Sequence, residues 1–207
     1  MATKVYGDSM LLHRYLETLL GSKTKIKILR TLHRHEGKEF TIRELSNFIN
    51  TSHTGVQKAL QDLYEMNAVT LKAVGRSHTV SLKEESHLTP ILTSLFNYEE
   101  ETIRELQKDI RKHLCHEPTI KQVKIFGSVA RGQEEPRSDI DLLIITSDRE
   151  KTEEILTGLQ ILCNNKYGNP IIPHIIAEDE KSSQSLIEEI QDKHITICEK
   201  TREIEYV

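Results

Sequence analysis

The chain has 207 residues, is 37% hydrophobic and 29% charged, and carries a formal net charge of −4, so it can bury the core of one large domain or two small ones. No apolar run approaches membrane-spanning length, and the opening MATKVYGDSM lacks the apolar stretch of a secretory signal, so no membrane partner is expected and cytoplasm is the expected location. The three cysteines, Cys115, Cys163 and Cys198, are far apart and odd in number, which argues against a disulfide framework, and no C-x-x-C points to zinc.

Residues 1–85 hold 13 Lys/Arg against 9 Asp/Glu, a net of +4, whereas residues 86–207 hold 15 against 23, a net of −8. A basic half joined to an acidic half predicts two domains with different partners. In the basic half, SKTKIKILRTLHRHEG predicts a helix with Ser22 as N-cap, ending near Gly37, with Ile26, Leu29 and Leu32 at helical spacing. FTIRELSNFIN offers Thr41 as N-cap and Glu44 three residues on, a capping box, with Ile42, Leu45 and Ile49 facing inward. TSHTGVQKALQDLYEMN follows at once, with Val56, Leu60 and Leu63 as its inner stripe. AVTLKAVGRSHTVSLK alternates around Gly75-Arg76-Ser77 and reads as a β-hairpin.

Three helices and a hairpin in this order resemble the winged helix-turn-helix domain, over roughly residues 20–83 and including the phrase ALQDLYEMNAV. The resemblance implies a third helix in the DNA major groove and a wing on the backbone. Carried onto this chain, it implies that His53, Thr54, Gln57 and Lys58 face DNA from the third helix, with Arg76 and His78 at the wing. A domain of this fold also serves protein binding or dimerisation, because fold alone does not set function.

HLTPILTSLFNYEEETIRELQKDIRKHL runs without a breaker from Pro90 to Leu114, with Leu92, Leu95, Phe96, Ile103, Leu106 and Ile110 spaced for one apolar face. It is expected to be a long connecting helix over 86–117 that packs between the domains or pairs with its copy in a homodimer. His113, Cys115 and His116 cluster at its end, but near-consecutive helical positions point apart, so a solvated helix end is expected rather than a metal site. The remainder alternates: strands at IKQVKIF, SDIDLLIIT and NPIIPHIIAE, a short helix at SVARG, and longer helices at REKTEEILTGLQILCNNKYG and SSQSLIEEIQDKH, with ITICE as a last short strand.

The chemistry is concentrated in FGSVARGQEEPRSDIDLLII. Residues i and i+2 of a strand share a face, so Asp139 and Asp141 project together while Ile140 and Leu142 turn to the core. Two parallel carboxylates repel unless a cation lies between them. Mg²⁺ suits that role because it takes oxygen ligands and bridges to phosphates. Gly127-Ser128 sits where a strand becomes a helix, and glycine there lets a phosphate approach free backbone N–H groups. Metal-holding and phosphate-holding elements side by side predict a phosphoryl-transfer site.

This string resembles the signature of the polymerase-beta-like nucleotidyltransferases, above all the small prokaryotic members, and the likeness covers roughly residues 118–207. The resemblance implies transfer of a nucleoside monophosphate from an NTP to a hydroxyl, with release of pyrophosphate. It implies that Gly127 and Ser128 hold the terminal phosphates with help from Arg131, beside Gly132. Asp139 and Asp141 would bind Mg²⁺ or Mn²⁺, and Ser138 would cap the turn. The family supplies a third carboxylate from the next core strand. Here PIIPHII has none, and His174 is the nearest polar residue, with Glu178 four residues on, roughly 13 Å along the strand. Either His174 is the base, Glu178 is brought in by a bend at Pro173, or the third group is absent.

The expected architecture is therefore α+β in two domains: a winged helix over 1–85, a connecting helix over 86–117, and a nucleotidyltransferase domain with a mixed sheet over 118–207. The expected partners are an NTP, duplex DNA, and a protein or small-molecule acceptor. Two other functions fit the same residues: a transcriptional regulator whose transferase domain only senses nucleotide, and an antitoxin-like module that binds a toxin.

Overall fold

The structure is a computed structural model, and it describes residues 13, 15–75, 77–177, 190 and 193–200. The expected roles of Arg76 and Glu178 and the helix expected over 182–194 involve positions outside the described residues. The chain forms two compact units, residues 1–100 and 101–207.

In the first unit, α1 (Tyr15–Leu20) and α2 (Lys23–Arg34) precede a short strand β1 (Phe40–Thr41). Then come α3 (Ile42–Phe48), α4 (His53–Glu65), and the strands β2 (Val69–Val74) and β3 (Ser77–Leu82). Ser22 occupies the N-cap of α2 without a side-chain bond. At α3 the capping box is complete: the Glu44 N–H donates to Thr41 Oγ1 at 3.2 Å, and the Thr41 N–H donates to Glu44 Oε2 at 2.8 Å. Strands β2 and β3 pair antiparallel as far as Val74 opposite Ser77, so the turn holds two residues, and Gly75 adopts φ +60°. Strand β1 pairs with β3, giving the sheet order β1-β3-β2. Leu29, Leu45, Val56, Leu60, Leu63 and Val80 fill one core, which is the winged helix arrangement of three helices behind a hairpin.

The long helix α5 spans Leu88–Leu114. Its early residues Leu88, Leu92 and Phe96 belong to the first unit's core. Leu95, expected in the same stripe, is 44% exposed, because it lies off the Leu92–Phe96 row that the helical period aligns. Leu106, Ile110 and Leu114 belong to the second unit's core.

In the second unit follow β4 (Ile120–Phe126), α6 (Gly127–Arg131), β5 (Ile140–Thr146), α7 (Arg149–Tyr167), β6 (Ile171–Ala177) and β7 (Ile195–Glu199). The sheet order is β6-β5-β4-β7; β5 and β6 run parallel, and β4 is antiparallel to both β5 and β7. Val123, Ile125, Ile140, Leu142, Ile144 and Ile171 share one face, in a core with Leu106 and Ile110 of α5 and Leu156 and Leu159 of α7. The opposite face carries the paired residues Phe126 and Asp141, and beyond them Leu143 and His174.

Cys115 and Cys198 form a disulfide across 83 residues, with 6.1 Å between their Cα atoms. This corrects the expectation drawn from their wide spacing. Strand β7 returns to pair with β4 and so brings Cys198 beside the end of α5, a proximity that linear distance conceals. Cys163 is free and buried, and burial pushes its thiol up to about 11.

Candidate functional site

Strand β4 ends at Phe126, and Gly127 turns the chain into α6 with φ +69°, a left-handed conformation that favours glycine. Phe126 is in register with Asp141 on β5, so the turn lies beside that carboxylate. A Cβ added at Gly127 would collide with Asp141 Oδ2 and stand 3.1 Å from its Cγ. The structure therefore brings Gly127 and Asp141 into direct apposition, with Ser128 next on the turn. Arg131 ends α6, and Gly132 closes it at φ +68°. Ser138 holds the following loop: its Oγ accepts from the Glu135 N–H at 2.9 Å, and its own N–H donates to Glu135 O at 2.9 Å. Asp139 is exposed and stands one residue before β5, whereas Asp141 is half-buried within it. Arg137, which sequence reasoning did not single out, has φ +79°, so backbone strain lies two residues before Asp139.

In the first unit, His53, Thr54, Gln57 and Lys58 are exposed on the first two turns of α4, and His78 is exposed on β3. Thr54, Gln57, Lys58 and His78 line one groove of about 420 Å³ together with Gln61 and Leu71. His53, Gln57 and His78 line a second, with Arg43 of α3 and Ser77. Helix and hairpin thus form a common surface. Sequence reasoning missed Arg43 and Gln61; only the packing of α3 and β3 against α4 places them there.

Residues 108–203 match the family described as polymerase beta, nucleotidyltransferase. This segment is a polymerase beta-type nucleotidyltransferase domain. Among solved structures, the chain is similar to a toxin-antitoxin crystal structure with AMP-PNP, at 17% identity over 46% of this chain and 74% of that one, with a TM-score of 0.35. It is also similar to the adhesin competence repressor of Streptococcus pyogenes, at 20% identity over 44% and 66%, with a TM-score of 0.35. A third is the homodimeric winged helix-turn-helix DNA-binding domain Mb0332 of Mycobacterium bovis, at 16% identity over 47% and 91%, with a TM-score of 0.33. No curated protein sequence matches the chain.

Within the nucleotidyltransferase domain, His174 shares the sheet face of Asp141 but pairs with Leu143, one pleat further along. Its ring meets Phe126 edge-on, with centroids 5.1 Å apart. The β6 residue in register with Asp141 is Ile172, which is 40% exposed. Among the described residues no group of three or more His, Cys, Asp and Glu side chains could hold a metal ion, the cluster at His113, Cys115 and His116 included. What the domain offers a divalent cation is an exposed carboxylate at Asp139 and a half-buried one at Asp141. That donor chemistry fits Mg²⁺, which keeps several waters and completes its shell with phosphate oxygens. No helix among the described residues is long and apolar enough to cross a membrane.

Proposed function

We propose that this protein transfers a nucleoside monophosphate from an NTP to a hydroxyl acceptor, and that its winged helix docks on duplex DNA. The observation that carries the transfer reading is the seating of the Asp141 carboxylate against the Gly127 backbone. Only a residue without a side chain lets the turn pass so close to that carboxylate. Gly127 and Ser128 hold the terminal phosphates, with Arg131 and Gly132 at the far end of the same short helix. Asp139 and Asp141 hold Mg²⁺ or Mn²⁺, which when bound neutralises triphosphate charge and supports in-line displacement. The acceptor oxygen forms the new bond to the α-phosphorus as the bond to the pyrophosphate oxygen breaks. His174, on the same face, receives the acceptor's proton.

Incubation with labelled ATP, GTP, CTP and UTP, Mn²⁺ and cell lysate tests this reading. Label transfer that disappears in Asp139→Asn/Asp141→Asn supports it. A complete absence of transfer under every nucleotide and metal argues against it.

A second reading is favoured by Ile172, an apolar side chain in register with Asp141. On that reading the domain binds nucleotide and metal without turnover, and the winged helix converts the bound state into altered DNA affinity. ATP–Mg²⁺ binding without transfer selects it.

A further inference from the structure

We propose that Arg43, at the start of α3, contacts a backbone phosphate of duplex DNA and sets the register of α4 on it. The proposal rests on the DNA reading above. Arg43 is exposed and lines the same groove as His53, Gln57 and His78. Lys58 lines the adjoining groove, and among the described residues no Asp or Glu lines either one. Three separate elements, α3, α4 and β3, thus turn cationic or protonatable side chains to one surface.

Among the described residues, the groove surface carries positive charge without a carboxylate beside it. Elsewhere in this unit three basic side chains are neutralised at 2.6 Å, Lys25 with Asp62, Arg30 with Glu99 and Lys72 with Glu39, while Lys27 bonds the Ile49 carbonyl and Lys38 lies over the Phe40 ring. Arg34 meets Glu100 at 3.3 Å. Among the described residues, Arg43, His53, Lys58 and His78 enter no such ion pair. The nearest carboxylate in sequence, Glu44, is committed elsewhere: the Thr41 N–H and hydroxyl donate to it at 2.8 and 2.9 Å, and the Thr41 backbone bond holds it below the usual carboxylate range. Positive charge concentrated in this way on one surface fits a polyanion.

Position divides the roles within that surface. Gln57 lines both grooves and is central, where its amide can pair with an adenine edge. Arg43 comes from a different helix and lines only one of them, at the flank where a phosphate strand passes when α4 occupies the major groove. Its planar guanidinium matches two phosphate oxygens at once.

The test uses the full chain, a labelled short duplex of random sequence, and fluorescence anisotropy across a salt series. Arg43→Ala should weaken binding several-fold on every duplex and reduce the slope of log affinity against log salt by about 0.9, one released counterion. Arg43→Lys should restore the slope and only part of the affinity. Gln57→Ala should leave the slope unchanged. An Arg43→Ala protein with the parent slope, while Lys58→Ala lowers it, overturns the role of Arg43 and leaves the DNA reading standing. Absence of duplex binding by the parent at low salt overturns both, as does tighter binding to single-stranded RNA or to polyglutamate than to the duplex.

Discussion

The carboxylate of Asp141 occupies the space that a side chain at Gly127 would need. Gly127 is also left-handed, at φ +69°. Gly127→Ala therefore faces two penalties at one position: roughly 1–2 kcal/mol of backbone strain and displacement of the Asp141 side chain. The expected outcome is a folded protein whose ATP–Mg²⁺ affinity falls at least ten-fold, measured by calorimetry. Undiminished affinity with an unchanged fold would show that the apposition has no part in nucleotide binding.

Removal of metal gives a second expectation. Without nucleotide, Asp139 and Asp141 should bind Mg²⁺ only weakly, because the ion expects phosphate oxygens to complete its shell. EDTA, or Asp139→Asn/Asp141→Asn, should abolish the metal-dependent part of ATP binding. A double variant that keeps metal-dependent binding would move the site elsewhere.

Strand β6 separates enzyme from sensor. If His174 takes the acceptor's proton, His174→Ala should slow transfer by about 10²–10⁴-fold and leave nucleotide binding intact. Register makes Ile172, not His174, the position opposite Asp141. Ile172→Asp should therefore tighten Mn²⁺ binding more than His174→Asp does. The reverse order in a titration would contradict the strand register.

A fourth prediction concerns Asp109 on α5, which receives hydrogen bonds from Lys166 at 2.8 Å and from the Tyr167 hydroxyl at 2.7 Å. Burial pushes the Asp109 carboxyl up, but these bonds outweigh it and hold the group below its usual range. A depressed carboxyl contributes stability that is present above its unfolded value and lost as pH falls through the lower folded value. Asp109→Asn should cost on the order of 1 kcal/mol at neutral pH. In urea melts the gap between parent and variant should close in acid, below the ordinary Asp range. Tyr167, pushed up to about 12 by burial and by its bond to Asp109, contributes stability that fades as pH rises from its ordinary value toward that one. A pH-independent gap would assign the effect to packing alone.

Much of this protein is determined locally and is therefore readable in its residues. The capping box at Thr41 and Glu44, the stripe of Val56, Leu60 and Leu63, and the hairpin around Gly75 each depend on interactions within a few residues, so chain order suffices to recognise them. The glycine turn at Gly127 is local in the same way, whereas Asp139, expected inside the strand with Asp141, stands one residue before it. What only the tertiary structure decided depends on strand pairing and helix packing. It placed Ile172 rather than His174 opposite Asp141, because register is set between strands and not along one. It joined Cys115 to Cys198 because β7 returns to β4. It brought Arg43 to the groove of Gln57 and His78 because three elements meet there, an adjacency for which the linear chain carries no local signal.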